Sequence, residues 1–354
     1  MNRLHILCAC ILAMLITMTA GAAEWPKLPR ENGAITVPAQ DAPREVTATV
    51  TYPSGKLENV RETTGLMLTL HNWGGTGARG TASPRALADN LDVVAITVDY
   101  LHSGEYKAGE SPPYDFGYLQ ANDALRALWA VYDGLQRTET PFDSGRLYAT
   151  GGSGGGNVTL MCNKLAPRTF AAIVDNCGMP RLTDDIAFGE EGGSRLNAGY
   201  SRDADAENYL SPDAQAIRFV GHPDHTKHMK AIGNAAKIVV VHGTTDDVCP
   251  FPDAVEMVDN LTMAGLDVLP WFLTNAHLDG KTFNSTGHSL GDRTRIALKF
   301  GAVYIAADSP DARRLSAPND FDQREVISYQ TENGRFDLDY TAGYPVFRFI
   351  PDPE

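Results

Sequence analysis

Residues 147–165 read LYATGGSGGGNVTLMCNKL, and no other stretch of the chain limits its fold as tightly. An apolar run, 147–150, passes at once into five glycines around a single serine, Ser153. Val158, Leu160, Met161 and Leu165 then recur at helical spacing. That order predicts a strand, a tight turn and a helix, with Ser153 at the apex. A serine lifted off a strand end sits in a strained, crowded backbone, and the positions two before and two after it leave no room for a Cβ. The turn also aims the first N–H groups of the helix, Gly154 foremost, at whatever Ser153 would attack. Taken alone, the stretch also fits a phosphate-cradling Gly/Ser loop or a plain turn.

The rest of the chain supplies the context. Residues 43–53 (PREVTATVTYP) alternate like a half-exposed edge strand. Residues 65–70 form an unbroken apolar strand that runs into His71-Asn72-Trp73-Gly74-Gly75. A short helix is expected at 83–90 and a buried parallel strand at 93–100. The polar, Gly/Pro-rich loop 102–113 leaves that strand's C-terminal end and should border the pocket. Residues 114–135 have helical periodicity, with Trp129 and Tyr132 read as core rather than as a ligand platform. Strands follow at 171–175, 237–242 and 268–274, and helices at 252–264 and 293–306. Strands alternating with helices predict an α/β fold with a mostly parallel sheet. Residues 178–236 break that rhythm. Within them His222, Asp224, His225 and His228 could reach one metal, although a solvated helix face is the simpler reading. After 307, residues 325–340 alternate across Asn333-Gly334 as a hairpin, and 344–350 could add a third strand.

Gly151-x-Ser153-x-Gly155 resembles the nucleophile elbow of the α/β-hydrolase superfamily. The resemblance extends through the His-x-x-Gly-Gly loop at 71–75, the His-Gly-x-x-Asp loop ending at Asp246, and the Gly287-His288 turn, spanning roughly 43–306. It implies an eight-stranded, mostly parallel α/β-hydrolase sheet with helices on both faces, within a domain at 23–308. It also implies a cap insertion at 178–236, and the C-terminal β-rich appendage, 309–354, is expected to pack on the main domain. By the same resemblance Ser153 is the nucleophile, His288 the base and Asp246 its partner, with the Gly154 and Trp73 N–H groups holding the oxyanion. Asp247 and His277 are the rivals of Asp246 and His288, and Asn72 or Gly74 could replace Trp73 as donor. His71, His102 and His242 are read as pocket-wall or loop-fixing residues. Gly152, where larger residues are common, is expected to widen the pocket floor. No metal or organic cofactor is required by that mechanism.

A basic start with Arg3, an apolar run at 6–18 and Ala20-Gly21-Ala22 read as a signal peptide, 1–22, cleaved near Ala22 or Ala23. A secreted or periplasmic protein with no membrane attachment after cleavage is therefore expected. Cys162, Cys177 and Cys249 then remain, and a Cys177–Cys249 bridge is expected if their strands are neighbours; three buried thiols are the alternative. The formal net charge of −14 argues against nucleic acid as a partner. These features together predict a secreted serine esterase acting on small-molecule or polysaccharide esters. The chain shows no stretch for the large N-terminal propeller of the oligopeptidases, which favours an esterase over the alternative, a prolyl-oligopeptidase-like peptidase. A non-catalytic binding protein on a hydrolase scaffold is the third reading.

Overall fold

Unbroken apolar strands can be satisfied only where both faces of a sheet are covered, and that is where the computed structural model places them. It describes residues 25–110, 112–191 and 193–353; the expected signal peptide lies outside the described residues. The central sheet contains β1 (Gly33–Pro38), β2 (Glu45–Thr51), β3 (Gly65–Leu70), β4 (Val93–Asp99), β5 (Leu147–Gly152), β6 (Ala172–Asn176), β7 (Lys237–Gly243) and β8 (Asp267–Leu273). Their spatial order is β1-β2-β4-β3-β5-β6-β7-β8. β1 and β2 form an antiparallel edge, β2 meets β4 antiparallel, and every pair from β4 to β8 is parallel. β3, β5 and β6 are buried along their whole length, whereas β2 alternates.

The helices are α1 (Pro84–Leu91), α2 (Tyr118–Arg137), α3 (Gly154–Leu165), α4 (Asp184–Phe188), α5 (Pro212–Ile217), α6 (Pro223–Ala231), α7 (Phe251–Met263), α8 (Arg293–Ile305) and α9 (Asp320–Gln323). Successive strand residues face opposite ways, so Leu66, Leu68, Ile173 and Ile238 pack with α2, α3 and α7, while Met67, Val174 and Val239 pack with α1 and α8. Trp129 and Tyr132 are core, as expected. α2 starts at Tyr118 rather than 114, because Phe116 (φ +57°) and Gly117 (φ +91°) are left-handed. A Cβ on Gly117 would lie 2.4 Å from the Asn157 Oδ1 of α3.

The insertion expected as one cap divides in two. Its first part, with α4 and α5, shares a small apolar cluster with Tyr114, Phe116 and Cys249. α6 instead packs on α7 and on the C-terminal strands, serving as the crossover helix between parallel β6 and β7. The expectation of a solvated histidine face is also corrected. His225 is buried, accepting from the Lys164 ammonium (2.9 Å) and donating to Gln330 O (2.9 Å).

β9 (Val326–Gln330), β10 (Gly334–Asp339) and β11 (Val346–Pro351) form an antiparallel sheet in the order β11-β10-β9. β9 ends at Gln330 and β10 begins at Gly334, so the connection is 331–333 and Gly334 already lies in the strand rather than in an Asn-Gly turn. Ile327, Tyr329, Phe336, Leu338 and Phe347 join the same core as α2 and α3. Polar anchors complete the contact: buried Asp320 accepts from the Arg168 N–H (2.9 Å), Arg168 Nε (2.6 Å) and Thr169 Oγ1 (2.9 Å). Among the described residues no helix is long and apolar enough to cross a membrane.

Asp320→Ala should therefore leave the Arg168 guanidinium without its buried partner and lower unfolding free energy by about 3–5 kcal/mol. Asp224→Ala, which breaks only the exposed pair with Lys227, should leave the urea midpoint unchanged. Equal midpoints for the two variants would show that Asp320 does not anchor the appendage.

Candidate active site

β5 delivers Ser153 into a backbone geometry few side chains adopt, φ +58° and ψ −122°, and α3 begins at the next residue. The turn is held from both sides: Ser153 N–H donates to Asn176 O (2.9 Å), and Asn157 N–H donates to Ser153 O (3.0 Å). The two flanking glycines are required as their pattern predicted. A Cβ on Gly151 would lie 2.2 Å from Gly155 O, and one on Gly155 would lie 2.4 Å from Leu70 O.

Three loops from distant parts of the chain converge on this serine. His288 Nε2 lies 2.8 Å from Ser153 Oγ, and His288 Nδ1 lies 3.0 Å from Asp246 Oδ2. The other Asp246 oxygen accepts from the N–H groups of Val248 (2.9 Å) and Cys249 (3.0 Å). Burial alone would raise the Asp246 carboxyl, but the His288 bond and these amides bring it below the usual carboxylate value. A hydroxyl bonded to an imidazole whose far nitrogen is fixed by a buried carboxylate can lose its proton to that imidazole during attack on a carbonyl. The rivals lie elsewhere. Asp247 is exposed, and His277 is occupied with Thr274 N–H (3.0 Å). His71, His102 and His242 hold loops, through contacts to Asn72 O and Ser103, to Asp115 N–H, and to Cys249 O respectively.

A Cβ on Gly154 would lie 2.6 Å from Trp73 N, so the 71–75 loop closes directly on the residue after Ser153. Backbone amides gathered at a serine in this way can hold a developing oxyanion. The Trp73 indole is half-buried and stacks on Tyr114, with centroids 3.6 Å apart and planes 3° apart. Tyr106 meets both rings edge-on. The expectation that Gly152 widens the pocket floor is overturned: a Cβ there would lie 2.8 Å from Arg293 Nε, so the arginine side chain occupies that space. Nothing in the motif pattern had marked Arg293.

The expected Cys177–Cys249 bridge is absent: β6 and β7 are neighbours, but both thiols are free and buried, as is Cys162. Among the described residues, Cys177, His242 and Asp246, and likewise Asp246, Cys249 and His288, bring potential ligand atoms within 4.8 Å of one another. Both groups depend on Asp246, whose oxygens already accept from two amides and face His288. The 222–228 histidine stretch forms no such group there.

Compared with known families, the chain matches the one described as the prolyl oligopeptidase family over residues 119–304, more than half its length. No curated protein matches. Among solved structures it is similar to Pyrococcus horikoshii acylaminoacyl peptidase (TM-score 0.53, 17% identity, covering 75% of this chain and 39% of that one). It is also similar to a Mycobacterium tuberculosis puromycin-hydrolyzing peptidase (0.51, 17%, 78% and 40%) and a bacterial heroin esterase (0.50, 17%, 73% and 76%). These identities establish a shared fold. The chain spans about two fifths of the length of the two peptidases.

One buried group beside the elbow escaped the sequence reading. Asp175 Oδ1 accepts from Gly178 N–H (2.9 Å), while its Oδ2 is buried without a partner. Burial, reinforced by the nearby Asp246 charge, raises this carboxyl to about 8, so it is neutral at pH 7. Below about pH 4 the folded and unfolded chains both hold the proton, and the group has no effect. Between about pH 4 and 8 only the unfolded chain releases it, so Asp175 lowers stability as pH rises, by up to about 1.4 kcal/mol per pH unit. Asp175→Asn should flatten this slope, gaining on wild type from about pH 5 to about pH 8 in urea unfolding. Parallel pH profiles for the two proteins would rule the neutral carboxyl out.

Proposed function

The chain belongs to the prolyl oligopeptidase family and is a serine hydrolase, and we propose that it cleaves carboxylic esters through a covalent Ser153 intermediate. The observation that carries the reading is the continuous contact from Ser153 Oγ through His288 to Asp246, at 2.8 and 3.0 Å. His288 would take the Ser153 proton as Oγ bonds to the ester carbonyl carbon, and the Gly154 and Trp73 N–H groups would hold the oxyanion. Collapse breaks the C–O bond to the alcohol, which leaves with the proton from His288. Water, deprotonated by the same imidazole, then releases the acid and restores Ser153.

An ester with an apolar acyl or alcohol part, small or carried on a polysaccharide, suits the aromatic wall of Trp73, Tyr106 and Tyr114 beside the two amides. Asp115, next to Tyr114 in the chain, and Arg218 are buried and bonded to each other (3.0 Å), so neither is free to anchor a peptide terminus. Peptide amide cleavage is the second reading, favoured by the family's description and by the two peptidases of the same fold. We further propose that residues 1–22 act as an export signal, giving a secreted or periplasmic protein. N-terminal sequencing of exported protein should begin near Ala23, and a start at Met1 would refute the signal.

The mature protein and Ser153→Ala should be compared on p-nitrophenyl acetate, feruloyl esters and proline p-nitroanilides, with fluorophosphonate labelling alongside. Ester turnover should fall by at least about 10³-fold in the variant, and the label should be lost. Turnover that survives the substitution would rule out Ser153 as nucleophile, and anilide cleavage exceeding ester cleavage would favour the peptidase.

A further inference from the structure

Building on the serine-hydrolase reading, we propose that Arg293 is a positioning residue that clamps the loop carrying the Trp73 N–H against the nucleophile turn. Arg293 opens α8 five residues after His288, and its side chain runs back beneath the residue that precedes Ser153. Its Nε and Cδ would lie 2.8 and 3.2 Å from a Cβ on Gly152. The glycine therefore admits the arginine. Beyond Gly152 the guanidinium reaches the loop that follows β3. Nη1 donates to Asn72 Oδ1 (2.8 Å) and also to Gly80 O.

Those two acceptors form the neck of one loop. Asn72 N–H donates to Gly80 O (3.2 Å), and Asn72 O accepts from Gly75 N–H (2.8 Å). The Asn72 side chain relays the contact onward, with Nδ2 donating to Trp73 O (2.7 Å). From Arg293 to the residue whose N–H faces the oxyanion there is thus one intervening side chain. The far turn of this glycine-rich loop is tied by the paired Thr76 and Arg79 bonds (2.9 Å each) and by Gly77 N–H to Asp99 (2.6 Å), and Arg293 adds a side-chain hold at its neck. A donor amide is useful only within a few tenths of an ångström of its place, and a supporting group on a rigid helix supplies that accuracy. Both bonds leave from the one nitrogen, Nη1, which the planar guanidinium holds at a fixed angle to the Nε packed on Gly152; a lysine ammonium ends a flexible stem with no second planar atom to hold it in that place. Because α8 also follows the His288 turn, one helix start fixes the loops of base and oxyanion donor relative to the nucleophile.

The test is a double-mutant cycle on an ester that the wild type hydrolyses, with kcat expressed per site titrated by fluorophosphonate. Arg293→Lys and Asn72→Ala should each lower kcat by roughly 10–100-fold, the scale of a misplaced donor, with KM within about threefold. The double variant should be no slower than the worse single one, because both act through one contact. Arg293→Ala, if it folds, should regain part of its kcat in added guanidinium ion. An unchanged kcat in either single variant, or losses that multiply in the double, would overturn the clamp. If Arg293→Ala fails to fold, the Arg293→Lys and Asn72→Ala pair still decides. A wild type that turns over no ester or peptide and takes no fluorophosphonate would instead refute the hydrolase reading, and the clamp with it.

Discussion

The left-handed backbone at Ser153 is the constraint from which the site's architecture follows. A side chain held at that φ needs its neighbours to close in from every direction, and the closing surfaces are backbone. Leu70 O lies where a Cβ of Gly155 would be, Trp73 N where one of Gly154 would be. The same device recurs two strands further on, where a Cβ on Gly243 would lie 2.1 Å from Thr286 O and the His288 turn leans on the end of β7. Close backbone contact leaves no slack for a loop to drift. The price of this arrangement is that almost none of these positions tolerates an added methyl group.

Electrostatics under the serine depends on separating two carboxyls that share one buried layer. Asp246 receives two amides and His288, and it stays ionised. Asp175 receives one amide and has one oxygen with no partner, so it keeps its proton. The difference in donors decides which group carries the charge. His242, which burial keeps neutral, bonds to Cys249 O and secures the loop whose amides support Asp246. Of these two carboxyls, the one that carries charge is thereby placed behind the histidine, where it can stabilise an imidazolium.

Much of this was legible in the sequence, for a physical reason. Ser153 and Asp246 lie just past the ends of the buried strands β5 and β7, in short turns whose glycines are dictated by local geometry, and His288, well beyond the exposed edge strand β8, is marked by its Gly-His pair just before a helix, so local pattern reveals all three. The parallel strands were readable because burial on both faces leaves unbroken apolar runs. β1 was not, since it buries only Ile35 and Val37, too few to show the alternation by which β2 was read. Arg293, Asp175, Lys164 and His225 were invisible for a different reason. Their roles come from partners 221, 3, 53 and 105 residues away, and even the near partner of Asp175 matters only because the sheet buries it. The free thiols follow the same rule: neighbouring strands do not by themselves bring two sulfurs to bonding geometry.

The C-terminal sheet acquires its meaning from α3. That helix carries Ser153 at its start, and its far end is held by the appendage: Tyr329 OH donates to Lys164 O (2.5 Å) and Tyr340 OH to Leu165 O (3.0 Å). Lys164 itself is buried, which pushes its ammonium well down in pKa, and it donates to Ile217 O and Phe219 O (2.7 Å each) in the insertion. The last carbonyls of a helix must find donors, and here those donors come from the appended strands. The inner face of the sheet, with Phe336, Leu338 and Phe347, is continuous with the core under α2 and α3. It closes that core and cannot serve as a binding face. α3 is thus fixed at one end by glycine contacts with the sheet and at the other by tyrosine hydroxyls from the appendage. A rigid α3 keeps Gly154 pressed against the Trp73 backbone.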